Sequence, residues 1–154
     1  MYFRKLKITT MLLLLVTTLA LAQVQPKWAR YPSISPDGSQ IAVVYKGDLY
    51  RVASNGGDAI QLTFHQAHDY MPVWSKDGKH LAFASDRYGN FDVYTMDAQG
   101  GPANRITFHS NDEVPFSFSS DDKHVIFGGM RQDLANHRQY PTGSQPELYQ
   151  VPVK

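Results

Sequence analysis

A step of 40 to 44 residues recurs along this chain, and it constrains the fold more than any other feature. Residues 32–43, 72–83 and 116–127 align: Ser35 to Ser75 is 40 residues, and Ser75 to Ser119 is 44. Each segment holds a turn pair, Asp37-Gly38, Asp77-Gly78 and, with the glycine replaced, Asp121-Asp122. The second halves repeat as well. Asp48-Leu49-Tyr50 matches Asp92-Val93-Tyr94 and Glu147-Leu148-Tyr149, and Asn55-Gly56-Gly57 matches Gln99-Gly100-Gly101. Leu62-Thr63-Phe64-His65 returns as Ile106-Thr107-Phe108-His109. Self-similarity at a fixed step means one supersecondary unit stacked on copies of itself.

Each unit reads as four short strands. The first lies before the turn pair, and the second covers residues 40–45, 80–85 and 124–128. The third is centred on Tyr50, Tyr94 and Tyr149, and the fourth covers residues 59–63 and 104–107. Asp-Gly and Gly-Gly are the dipeptides that tolerate the positive φ of tight hairpins. β-Branched and aromatic runs punctuated by eleven Gly and nine Pro argue against helical repeats of similar period. Four strands in about 40–45 residues is the signature of a propeller blade. The expected fold is therefore all-β: about three four-stranded β-propeller blades, over residues 28–63, 70–107 and 113–154, the last incomplete.

Residues 75–94, from Ser75-Lys76-Asp77-Gly78 through Asp86-Arg87-Tyr88-Gly89-Asn90 to Asp92-Val93-Tyr94, resemble the WD-repeat-like motif of the TolB and tricorn-protease propellers. Tyr45-Lys46-Gly47-Asp48-Leu49-Tyr50, and the stretch from Arg131-Gln132-Asp133 to Tyr149, are most similar to the N-terminal propeller of secreted tricorn-like serine peptidases. The resemblance implies a propeller that in such proteins precedes a PDZ module and a protease domain, neither of which residues 1–154 resemble. The third unit departs from the pattern at Asp122, and Val151-Pro152-Val153-Lys154 stands where a Gly-Gly turn and fourth strand are expected. A truncated propeller with open edges is the expectation, and with it self-association through those edges.

Residues 1–22 read as a signal peptide. Arg4, Lys5 and Lys7 form a basic start, residues 8–22 carry no charge, and Ala20-Leu21-Ala22 fits a cleavage site. The apolar run is shorter than the ~20 residues a spanning helix needs, so no stable membrane insertion is expected after cleavage. No cysteine occurs anywhere, which excludes a lipoprotein anchor and disulfides alike. Losing Arg4, Lys5 and Lys7 takes the formal charge from +1 to −2, and such a chain has no electrostatic footprint for nucleic acid. The expected location is periplasmic or secreted, with residues 23–154 as the mature incomplete propeller.

Strand alternation assigns the loops to two faces. The turns between first and second, and third and fourth, strands share one face, repetitive and read as structural. The connections between second and third strands, and between units, share the other. There the spacing grows from Ile41–Leu49 (8) to Leu81–Val93 (12) to Val125–Leu148 (23), and variable loops on a rigid scaffold carry binding. That face collects His65, His68, Asp69, Arg87, Tyr88, His109, Asp112, Glu113, Arg131 and Arg138 as candidate binding residues. Each has a structural alternative: His65 and His68 as half a metal site or a solvated loop, Arg87 as a carboxylate clamp or an internal salt bridge. Trp74 and Phe118 are read as blade-to-blade core rather than funnel lining, and Asp121-Asp122 as a surface turn.

No nucleophile elbow, zinc-protease helix motif, phosphate loop or dinucleotide fingerprint occurs. No catalytic residue, metal or cofactor is expected. The expected function is non-catalytic binding of protein or peptide, or gating of substrate. The alternatives are a fragment of an active secreted serine peptidase, and a TolB-like periplasmic interaction protein.

Overall fold

The computed structural model describes residues 28–131 and 147–153. Every regular element among them is a strand. The first sheet holds β1 (Arg30–Ile34), β2 (Gln40–Tyr45), β3 (Asp48–Ala53) and β4 (Ile60–Gln61) in chain order. The second holds β5 (Asp69–Trp74), β6 (His80–Ser85), β7 (Asp92–Asp97) and β8 (Asn104–Arg105) in the same order. The third runs β9 (Glu113–Phe118), β10 (His124–Gly129) and β11 (Glu147–Pro152). All pairings are antiparallel. Three consecutive meanders of this kind are three propeller blades, as the repeat requires. The signal-peptide reading and Arg138 lie outside the described residues.

The turn pair is built the same way three times. Ser35 Oγ donates to Asp37 Oδ1 and accepts from the Gln40 N–H at 2.9 Å. Ser75 does so with Asp77 and His80, and Ser119 with Asp121 and His124. One hydroxyl thus closes the turn and starts the second strand. The residue after the aspartate has positive φ in each blade: Gly38, Gly78 and Asp122 at 73°, 71° and 57°. Aspartate is among the few residues that tolerate this region.

The fourth strands are shorter than the sequence suggests, and a side chain is the reason. Leu62 N–H donates to the Leu49 carbonyl, but the Leu49 N–H turns to Thr63 Oγ1 at 2.9 Å. Val93 N–H likewise donates to Thr107 Oγ1 at 2.8 Å. The threonine hydroxyl replaces a backbone acceptor and ends the ladder after two residues.

Two apolar cores lie between blades. Ala42, Val44, Leu49 and Leu62 of the first blade meet Leu81, Phe83, Tyr94 and Met96 of the second, with Trp74 packed against them. Ala82, Val93 and Ile106 meet Phe118, Val125 and Phe127 in the next. Phe83, Leu49 and Leu81 are fully buried, each contributing about 1.5–3 kcal/mol. Trp74 Nε1–H also donates to the Ser33 carbonyl across the blade boundary at 2.9 Å. Backbone bonds tie the blades at the opposite end. Asp69 N–H donates to the Gly47 carbonyl and Glu113 N–H to the Phe91 carbonyl, both at 2.7 Å.

Candidate functional site

The loop face is formed by Lys46-Gly47, by residues 86–91, by the start of the connection after β10, and by the inter-blade segments 62–68 and 106–112. Its histidines are folded onto their own loops. His65 Nδ1 accepts from the Ala67 N–H at 3.0 Å, and His109 Nδ1 from the Asn111 N–H at 3.1 Å. His68 lies beside Tyr70 and Phe91, and its backbone N–H donates to Asp86 Oδ1 at 2.7 Å. Gly47 sits close beneath it at φ 91°, where a Cβ would come within 3.1 Å of His68 Nδ1. Among the described residues no group of histidines and carboxylates is arranged to hold a metal ion.

The charged candidates form repeated pairs. Asp69, the first residue of β5 rather than a loop residue, lies 3.1 Å from Arg87 Nη2. Its counterpart Glu113, the first residue of β9, lies 2.6 Å from Arg131 Nη2. Both carboxylates are fully buried. Each guanidinium also lies over two aromatic rings, Arg87 on Phe83 and Tyr94, Arg131 on Phe127 and Tyr149. A buried carboxylate stripped of its cation costs about 3–5 kcal/mol, so these arginines are committed to the blades that carry them. Asp112 is likewise engaged, its Oδ1 accepting from the Phe91 N–H at 3.0 Å.

A second pair, Asp92 with Arg105 at 2.7 Å, links β7 to β8. Its first-blade counterpart is neutral on one side: Gln61 Nε2 donates to Asp48 Oδ2 at 3.0 Å. Burial, and then the charge of Asp69, push the Asp48 carboxyl above its usual range. Burial raises Asp92 too, against the pull of Arg105, and raises the Tyr70 hydroxyl to about 12. The turn aspartates on the other face move the opposite way. Hydrogen bonds from the Ser35 hydroxyl and Ser39 bring Asp37 down to about 2.

Beside exposed polar residues such as His65, His68 and Asp112, the loop face exposes large aromatics. Tyr88 and Phe108 are 70% and 72% exposed, and they flank the Arg105 guanidinium at 4.7 and 4.8 Å from their ring centres. Phe64, one repeat before Phe108, is also exposed. Tyr88 stands among the sequence candidates. Arg105 and Phe108 do not, although the recurrence of Phe in Leu62-Thr63-Phe64 and Ile106-Thr107-Phe108 was a signal that could have found the second of them.

The turn face is less plain than the repeats suggest. A polar cleft of about 640 Å³ opens there between the first two blades, lined by Gln40, Arg51, Asp58, Trp74, Lys76 and Gln99 among others. Asp122 lies in a surface turn, as read from sequence, and its carboxylate also reaches across to the second blade's turn.

A family model, the tricorn protease N-terminal β-propeller domain, matches residues 26–154. Comparison with curated proteins finds no match. Among solved structures, a protein described as TolB from Agrobacterium tumefaciens superimposes with a TM-score of 0.62 at 23% identity, over 70% of this chain and 40% of its own. TolB from Acinetobacter baumannii gives 0.58 at 26% identity, over 78% of this chain and 29% of that one. The tricorn protease gives 0.57 at 13% identity, over 71% and 12%. The chain thus spans well under half the length of each of these structures.

Proposed function

The chain belongs to the tricorn N-terminal β-propeller family, and from that membership we propose that it is a non-catalytic, exported module that binds protein or peptide through its loop face. The carrying observation is the pair Tyr88 and Phe108, held open to solvent on either side of Arg105. Exposed aromatics beside an arginine are the residue types that dominate protein–protein binding energy. Here the arginine's charge is already answered by Asp92, so the patch offers stacking surface more than net charge.

The surrounding chemistry favours binding over turnover. The histidine ring nitrogens His65 Nδ1 and His109 Nδ1 accept from backbone amides of their own loops, and the turn serines are spent on their aspartates. Neither arrangement activates a nucleophile. Export rests on the basic start, the uncharged run and Ala20-Leu21-Ala22. Selection from a random-sequence peptide library displayed on phage tests the binding claim. Selected peptides should lose at least tenfold in affinity for a Tyr88→Ser/Phe108→Ser variant and keep their affinity for a turn-face Asp58→Ala variant. Cleavage of the bound peptides, or indifference to the loop-face variant, would overturn it.

A further inference from the structure

At the loop end of the second blade three side chains stand in one rank. Asp69 of β5 pairs with Ser85 of β6, and Ser85 pairs with Asp92 of β7. Direct cross-strand neighbours project from the same face of a sheet, and all three residues are fully buried. Tyr94, two residues beyond Asp92 and so on that face as well, is 2% exposed. Arg87 lies across it, 5.0 Å from the ring centre. Six polar atoms in this group have no hydrogen-bond partner among the described residues: Asp69 Oδ1, Ser85 Oγ, Arg87 Nε, both Asp92 carboxylate oxygens and Tyr94 Oη, although Asp92 Oδ2 meets Arg105 as an ion pair. A buried polar atom left unmet is costly, because it has given up its hydration for nothing.

The third blade fills the same rank differently. There it reads Glu113, Gly129, Glu147. The first acid is one methylene longer, and its neighbour has no side chain. A Cβ on Gly129 would lie 3.2 Å from Glu113 Cγ, so the glutamate occupies the volume a side chain would need. Its reach is what matters: Glu113 Oε1 accepts from Arg131 Nε at 2.8 Å as well as meeting Nη2, so the guanidinium is met at both nitrogens while Glu113 Oε2 keeps no partner among the described residues. The shorter Asp69 meets only Nη2 of Arg87, and Nε is left over.

Charge and chemistry narrow what belongs in the second blade. Two carboxylates, Asp69 and Asp92, face two guanidiniums, Arg87 and Arg105, so these four charges balance, with Asp48, its carboxyl raised by burial and by Asp69, nearby. Its free atoms include donors (Arg87 Nε, the Ser85 and Tyr94 hydroxyls) and acceptors (Asp69 Oδ1, Asp92 Oδ1). A small neutral molecule that donates and accepts satisfies such a site, and buried waters take about three such bonds. We propose that the second blade binds a structural water held by Asp69 Oδ1, Ser85 Oγ and Arg87 Nε, in the place that the longer Glu113 covers in the third. The water ties β5 and β6 to Arg87 and fixes the root of the loop that presents Tyr88.

A high-resolution crystal structure of the full chain tests this directly. The expected result is an isolated density peak at hydrogen-bond distance, about 2.7–3.2 Å, from at least two of the three atoms. The double substitution Asp69→Glu/Ser85→Gly, which copies the third blade, is expected to lose that peak and bring the new carboxylate onto Arg87 Nε. A dry site with Asp69 and Ser85 bonded directly to each other would overturn the proposal. So would a peak with many oxygens at about 2.3–2.6 Å, the signature of a cation, or a peak that persists in the double variant. Should that variant not fold, the unsubstituted chain alone decides.

Discussion

Asp122, in the turn of the third blade, accepts a hydrogen bond from the backbone N–H of Lys76 in the second, at 2.7 Å. Its other carboxylate oxygen takes the adjacent Asp77 N–H at 2.9 Å. The residue that breaks the Asp-Gly pattern is thus the one that clamps two blades together. It holds φ at 57° to do so.

Asp122→Ala should therefore be costly twice over, through two lost charge-assisted bonds and through alanine at positive φ. A loss of about 1–3 kcal/mol is expected from urea unfolding. Asp122→Gly relieves the backbone and loses the clamp alone, so it should fall between alanine and the unsubstituted chain. Equal stability of all three would mean that the clamp carries nothing.

Legibility from sequence followed the repeat. The turn pairs and strand order could be read because Ser35, Ser75 and Ser119 do the same local work three times. Trp74 and Phe118 were readable as inter-blade core because bulk and position agreed. The Asp122 clamp was not, since nothing local says where a turn carboxylate points once blades stack. The internal salt bridge of Arg87 was readable from the motif, but its partner Asp69, 18 residues away, was not, nor was Arg105 between Tyr88 and Phe108, which joins three elements of one blade. Such arrangements follow from tertiary packing, which a motif does not encode.

Arg87→Met leaves the fully buried Asp69 carboxylate without its cation. About 3 kcal/mol of destabilisation is expected, read as a lower urea midpoint. Removing both charges, with Asp69→Asn in the same chain, should cost less than the single change. A single variant as stable as the parent would mean that Arg87 is free to serve a ligand.

Acid stability should carry the mark of the turn aspartates. Asp37 titrates near 2 in the folded chain against 3.8 unfolded, so its contribution is present above 3.8 and fades as pH falls toward 2. Asp77 and Asp121 are shifted in the same direction, the first chiefly by the Lys79 N–H, the second chiefly by the Ser119 hydroxyl. Asp48 and Asp92, raised chiefly by burial, act with the opposite sign: their contribution is present at low pH and lost as pH rises through their folded values. Unfolding midpoints of Asp37→Asn should fall less than those of the parent between pH 4 and 2. Parallel curves would refute the assignment.

Export predicts processing. Protein recovered from the periplasm or medium should begin at Gln23, as N-terminal sequencing would read it. Recovery there with Met1 retained would contradict the signal-peptide reading.

The central claim, that partners are bound by the loop face, is tested most directly by hydrogen–deuterium exchange with and without a selected peptide. The account predicts slowed exchange in residues 86–91 and 106–112, around Tyr88 and Phe108, with residues 36–39, 54–58 and 76–79 unchanged. Protection confined to those turn-face segments, around the cleft lined by Asp58 and Lys76, would contradict it.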